Sequence, residues 1–107
     1  MEEKIKTIAI FMGLFQDAKG FWGFKNTPER QRCHSDRIKD IYQYDRDWNW
    51  LMEVVEKIFK DFYKLNPCPI YLKMNIEKAL NEVNIDVTYN SCVEFIKWYN
   101  QNKEKAN

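Results

Sequence analysis

Apolar residues recur at Trp48, Leu51, Met52, Val55, Ile58, Phe59 and Phe62. Steps of three and four put side chains on one face of a helix, so the spacing predicts a buried helical stripe over 48–64. Asp47 stands at the N-cap position, where a carboxylate accepts from the free amides of the first turn and faces the positive end of the helix. Asn66-Pro67 marks the end, because the residue before proline avoids the helical region. On the opposite face Glu53 precedes Lys57, and Glu56 precedes Lys60, by one helical turn in the favourable order. A second stripe, Tyr89, Cys92, Val93, Ile96 and Tyr99, widened by Phe95 and Trp98, predicts a helix over 86–102 capped by Asn84 or Asp86.

The flanking segments carry weaker patterns. Ile5, Ile8, Ala9, Met12 and Phe15 are helix-spaced and predict a short N-terminal helix within 1–15, with Gly13 tolerated inside it. Ile70, Leu72 and Met74 alternate with Tyr71, Lys73 and Asn75, which is the period of a strand. Ile76, Ala79, Leu80 and Val83 then suggest a short helix, so 69–83 reads as strand plus helix. Residues 16–46 hold no period for long. Gly20-Phe21-Trp22-Gly23-Phe24 allows a strand or ordered loop at 21–25, and Asp36 to Tyr44 allows one or two helical turns. An irregular stretch this long points to function, disorder or a hidden element, and the three readings stand side by side.

At 107 residues the chain is one domain, long enough to bury a core without disulfides or metal. Aromatics make up 16% and charged residues 31%, which argues against disorder. No apolar run reaches the length of a membrane span, and the opening Met-Glu-Glu-Lys with its short apolar sequel is unlike a secretory signal. The cysteines, Cys33, Cys68 and Cys92, are odd in number and widely spaced, so reduced thiols in a cytosolic protein are expected rather than a disulfide framework.

Charge is informative in its distribution rather than its sum. The net charge is +1. Lys19, Lys25, Arg30, Arg32, Arg37 and Lys39 are opposed only by Glu29 and Asp36 across 19–39. The sign reverses over 40–56, where Asp40, Asp45, Asp47, Glu53 and Glu56 face only Arg46. Arginine interleaved with Phe21, Trp22 and Phe24 suits phosphate pairing and base stacking, and it equally suits a protein hot spot. Against both stands the plainer reading in which the rings pack inward and the cations are solvated. A net charge near zero favours protein over nucleic acid among the binding readings.

Other chemistry is poorly supported. Zinc needs about four ligands at paired spacings, and Cys33-His34, Cys68 and Cys92 offer none. His34 is the only histidine, and a neighbouring Cys33 is badly placed to form a nucleophile pair with it. No glycine-rich phosphate loop, metalloprotease motif or nucleophile elbow occurs. Asp45 and Asp47 read as a capping cluster rather than an acid–base pair. Trp48 belongs to the core stripe and Trp50 sits off it; Trp50 and Trp98 are candidates for partly exposed rings, with packing of a wide core the favoured role for each.

The two strong helices also carry a resemblance. Trp48-Asn-Trp-Leu-Met-Glu-Val-Val-Glu-Lys-Ile58 and Cys92-Val-Glu-Phe-Ile-Lys-Trp-Tyr-Asn100 resemble segments of small proteins from phages and mobile elements of Bacteroidetes, which often have proline in place of Glu53 and a hairpin in place of 70–83. A generic core with a particular insert resembles an anti-defence factor, and more narrowly an anti-CRISPR protein directed at RNA-guided nucleases of type VI-B. The resemblance implies no catalytic residues.

The expectation is therefore a helix-dominated, single α+β domain, 1–107. It has two long packed helices, a short N-terminal helix and a short strand or hairpin. The function expected is a non-enzymatic inhibitor in the cytoplasm of a bacterial host, without cofactor, metal or membrane. It binds a host defence nuclease or its RNA complex through Lys19, Phe21, Trp22, Lys25, Arg30, Arg32, Arg37 and Lys39. The rival expectation is a nucleic-acid-binding accessory protein of phage replication. The pattern leaves monomer and homodimer open.

Overall fold

A computed structural model describes residues 2–62, 64 and 69–102. Helix α1 (Glu2–Phe11) leads into a two-stranded antiparallel hairpin, β1 (Phe15–Gln16) and β2 (Trp22–Gly23). Two 3-10 turns follow, Glu29–Gln31 and Ser35–Arg37, then α2 (Ile38–Ile41), α3 (Trp48–Phe62), α4 (Ile70–Asn81) and α5 (Ile85–Asn102). This is a small helix-dominated α+β architecture. No helix among the described residues is long and apolar enough to cross a membrane.

Helix α5 is the hub. It packs against α1, α3 and, most extensively, α4. Being surrounded, it buries a broad face: Thr88, Tyr89, Cys92, Val93, Phe95 and Ile96. Thr88 is tolerated in the interior because its hydroxyl donates to the Asn84 carbonyl at 2.8 Å. The side chain of Asn84 accepts from the Val87 amide at 3.1 Å and so caps α5. In α3 the buried set is Leu51, Val54, Val55 and Ile58. Val54 replaces Met52 in the expected stripe, and Met52 is 36% exposed. Asp47 caps this helix through a 2.8 Å bond from the Asn49 amide. The expected stop at Asn66-Pro67 lies outside the described residues.

Two expectations are corrected. The segment 69–75 is not a strand: α4 runs unbroken from Ile70 to Asn81. Of the alternating trio only Leu72 is buried, as part of a helical stripe with Ile76 and Ala79, while Ile70 and Met74 are exposed. The alternation was an accident of composition, and the apolar face of α5 selects the helical period instead. The hairpin lies earlier, at β1 and β2.

The N-terminal helix ends at Phe11, not Phe15. Gly13, at φ +114°, is its terminator. The Gly13 amide donates to Ile10 and the Leu14 amide to Ala9, the paired bonds of a Schellman ending. Phe15 thereby leaves the helix for β1, where it is 39% exposed. The α4–α5 corner repeats the motif, with Val83 donating to Leu80 and Asn84 to Ala79. There the left-handed position is held by Val83, φ 51°.

Residues 16–46 are neither disordered nor external to the core. Cys33, Ile38, Tyr42 and Tyr44 are all buried. The ring of Tyr42 meets Phe24 edge-on at 5.4 Å and Trp50 at 6.0 Å, and Tyr44 meets Trp50 at 5.3 Å. Such T-shaped contacts favour ring edges over faces. They fasten the segment to the first turn of α3 and leave Trp50 partly exposed, packed against the core. Trp98 is half-buried beside Phe95 at 6.2 Å.

Candidate binding site

The hairpin turn is organised by one carboxylate. Asp17 Oδ1 accepts from the amides of Lys19 and Phe21, both at 2.9 Å, and Oδ2 accepts from Arg32 Nη1 at 3.1 Å. The turn closes through Gly20, φ +89°, whose amide donates to the Asp17 carbonyl. A side chain at that conformation would be strained. The Phe21 amide is the strongest of several donors that hold the Asp17 carboxyl below its ordinary range, working against its desolvation. Asp17 is missing from the expected site, yet Asp-Ala-Lys-Gly is a turn signature with a mechanism.

Arg32 is locked against this turn. Besides the bond to Asp17, its guanidinium lies over the Phe15 ring at 5.1 Å. Gly23 makes room for it: a Cβ there would sit 2.6 Å from Arg32 Cγ. Its buried Nε has no hydrogen-bond acceptor among the described residues. On the far side of β2, Trp22 and Cys33 exchange backbone bonds of 2.7 and 2.9 Å, which carries the chain past Arg32 as a third, one-residue rung.

These elements enclose a surface hollow of about 660 Å³ lined by Lys19, Phe21, Pro28, Glu29, Arg30 and Arg32. Four residues of the expected contact set thus meet in one place although they come from three different local structures. The Phe21 ring meets the His34 ring at 4.8 Å with the planes tilted by 56°. Lys19 Nζ pairs with Glu29 Oε1 at 2.6 Å, both side chains well exposed. This pairing, above all its hydrogen bond, raises the Lys19 ammonium and lowers the Glu29 carboxyl from their ordinary values. Arg30 is exposed and makes no hydrogen bond or ion pair among the described residues.

The other four expected residues go elsewhere. Trp22 packs partly against the core with Lys6 Nζ over its ring at 4.5 Å. Lys25 lines a second hollow of about 550 Å³ with Met12, Gly13, Phe24 and Asn26. Arg37 pairs with Asp40 at 3.5 Å on the way into α2. Lys39 belongs to α2, and its carbonyl accepts from Arg46 at 2.6 Å. Arg46 thereby closes the C-terminal end of α2 instead of facing outward.

Cys33 and Cys92 are buried free thiols. Burial raises the Cys33 thiol, and it pushes Cys92 up to about 12. Cys68 lies outside the described residues. No group of three or more His, Cys, Asp or Glu suited to a metal ion occurs among the described residues. The hollow offers an aromatic and proline floor, the open Arg30 guanidinium and the exposed Lys19 ammonium paired with Glu29. Comparison with protein-family models, curated proteins and solved structures finds no match to this chain.

Proposed function

We propose that the protein is a non-enzymatic anti-defence inhibitor of phage or mobile-element type, which engages an RNA-guided nuclease effector of its host through the surface around the hairpin. The observation that supports binding is the convergence of Lys19, Phe21, Arg30 and Arg32 on one hollow. The mixture of ring, proline and guanidinium is that of protein hot spots. The anti-defence assignment rests on the resemblance of the α3 and α5 segments.

Charge pairing favours a protein surface over free RNA. Glu29 pairs Lys19 and Asp17 pairs Arg32, so most of the local positive charge is already balanced. Binding to nucleic acid draws on many free cations that release counterions from phosphates. The test is interference by an RNA-guided nuclease against a targeted plasmid, with and without the chain. Plasmid survival should rise in its presence and return to the uninhibited level with Phe21→Ala or Arg30→Glu. Unchanged interference across a panel of effectors would remove the anti-defence reading. A gel shift with unpaired RNA that weakens steeply with salt would replace it with the accessory-protein reading.

A further inference from the structure

We propose that the hollow receives an acidic residue flanked by an aromatic one in an exposed segment of the partner protein, with Glu29 occupying it as an internal stand-in for the partner's carboxylate. This deepens the binding reading above and rests on it.

The cations of the hollow differ in what they can still do. Arg32 is structural: Asp17 holds its Nη1 and Gly23 leaves room for its stem. Arg30 is open to an incoming acceptor. Lys19 lies between the two. Its partner Glu29 is bound at 2.6 Å, but the side chains are 70% and 62% exposed. An exposed pair of this kind gains little because water competes for both charges. Exchanging the Glu29 carboxylate for another leaves the ammonium paired and returns Glu29 to water. A carboxylate entering the hollow therefore finds one unpaired guanidinium and one ammonium that changes partner at small cost.

The floor sets the second half of the specificity. The Phe21 backbone is held by the hydrogen bond from its amide to Asp17 at 2.9 Å, and its ring rests against the tilted His34 ring at 4.8 Å. With Pro28 it presents a rigid apolar surface on which a ring can lie offset or edge-on. A volume of about 660 Å³ is a few side chains in size. A strand of phosphates fits this arrangement badly, since Glu29 sits among the cations and repels successive charges, whereas a single carboxylate needs only to displace it.

A random peptide display library panned on the full chain tests the idea, followed by titration of the selected peptides against wild type, Arg30→Glu and Glu29→Gln. Both substitutions are at exposed positions, and thermal melts check that the variants fold. The expected consensus places Asp or Glu beside Phe, Tyr or Trp. Arg30→Glu should weaken these peptides on the order of tenfold or more through like-charge contact. Glu29→Gln should tighten them about two- to fivefold, the worth of an exposed pair. A basic consensus, no enrichment, tighter or unchanged binding in Arg30→Glu, or weaker or unchanged binding in Glu29→Gln would each overturn the proposal. So would binding of an unpaired RNA oligonucleotide that depends on Arg30. If the peptides fail while plasmid protection still requires Phe21 and Arg30, the surface stands and only the acidic occupant falls.

Discussion

Gly23 is the residue on which the geometry of the hollow turns, and substituting alanine there exposes why. The backbone at Gly23 lies outside the left-handed region, so nothing in its own conformation requires glycine. The constraint is Arg32. An added Cβ would lie 2.6 Å from Arg32 Cγ, 3.2 Å from Cδ and 3.3 Å from Nε. Cγ is close to the root of the side chain, so it yields only if Arg32 changes rotamer. That rotation withdraws Nη1 from Asp17 and the guanidinium from the Phe15 ring. Overpacking of this kind costs about 1–3 kcal/mol. Taking about 2 kcal/mol, and an unfolding entropy of about 2.1 cal/mol/K per residue, Tm should fall by about 9 °C.

The same substitution in an Arg32→Ala background should behave oppositely. The three atoms nearest the new methyl group are then gone, and replacing glycine by alanine at an admissible position stabilises by about 0.4–1 kcal/mol through the unfolded chain. Gly23→Ala is thus expected to reverse sign between the two backgrounds, with a coupling of about 2–3 kcal/mol in a double-mutant cycle. Urea and thermal unfolding of the four proteins measure it. An equal cost in both backgrounds would show that Gly23 is held by something other than Arg32, and the account of the hollow's wall would fail.

Further outcomes follow from the same structure. Val83 is 73% exposed and holds φ 51°, a position where glycine serves better; Val83→Gly should raise Tm by about 4 °C, corresponding to about 1 kcal/mol, and a lower Tm would contradict the Schellman assignment. At the equivalent point after α1, Gly13→Ala should instead destabilise by about 1–2 kcal/mol, read from the urea midpoint. Phe95 is fully buried in α5, and Phe95→Ala should cost about 3–5 kcal/mol, seen as loss of cooperative unfolding or a much lower midpoint. Asp17 titrates below its ordinary 3.8 when folded because the Phe21 amide, with Arg32 and Lys19, stabilises the carboxylate. Its contribution to stability is therefore present above 3.8 and lost as pH falls through the depressed folded value; urea midpoints measured across that acid range should fall more steeply for wild type than for Asp17→Asn.

Much of the scaffold is legible in the order of residues. The stripes of α3 and α5 are long enough to fix period, and Asp47 and Asn84 cap them as short-range chemistry dictates. The basic run over 19–39 supplies Lys19, Arg30 and Arg32 to the lining of one hollow. Local information decides these features because helix period and capping involve partners within one turn.

Tertiary structure decided the rest. Whether Ile70 to Asn75 follows period two or 3.6 depends on which face meets an apolar neighbour, and only α5 supplies that face, burying Leu72 and leaving Ile70 and Met74 outside. The anchoring of 16–46 came from Cys33, Ile38, Tyr42 and Tyr44, which show no sustained period because the one helix among them, α2, is a single turn that places only Ile38 and Tyr42. The fate of each cation was likewise a matter of distant partners. Arg32 became a wall because Asp17 and Gly23 lie beside it, Arg46 a helix cap because the carbonyl of Lys39 does, and Arg30 stayed open. A sequence lists its charges, but which of them remain available to a partner is set by pairings across the fold.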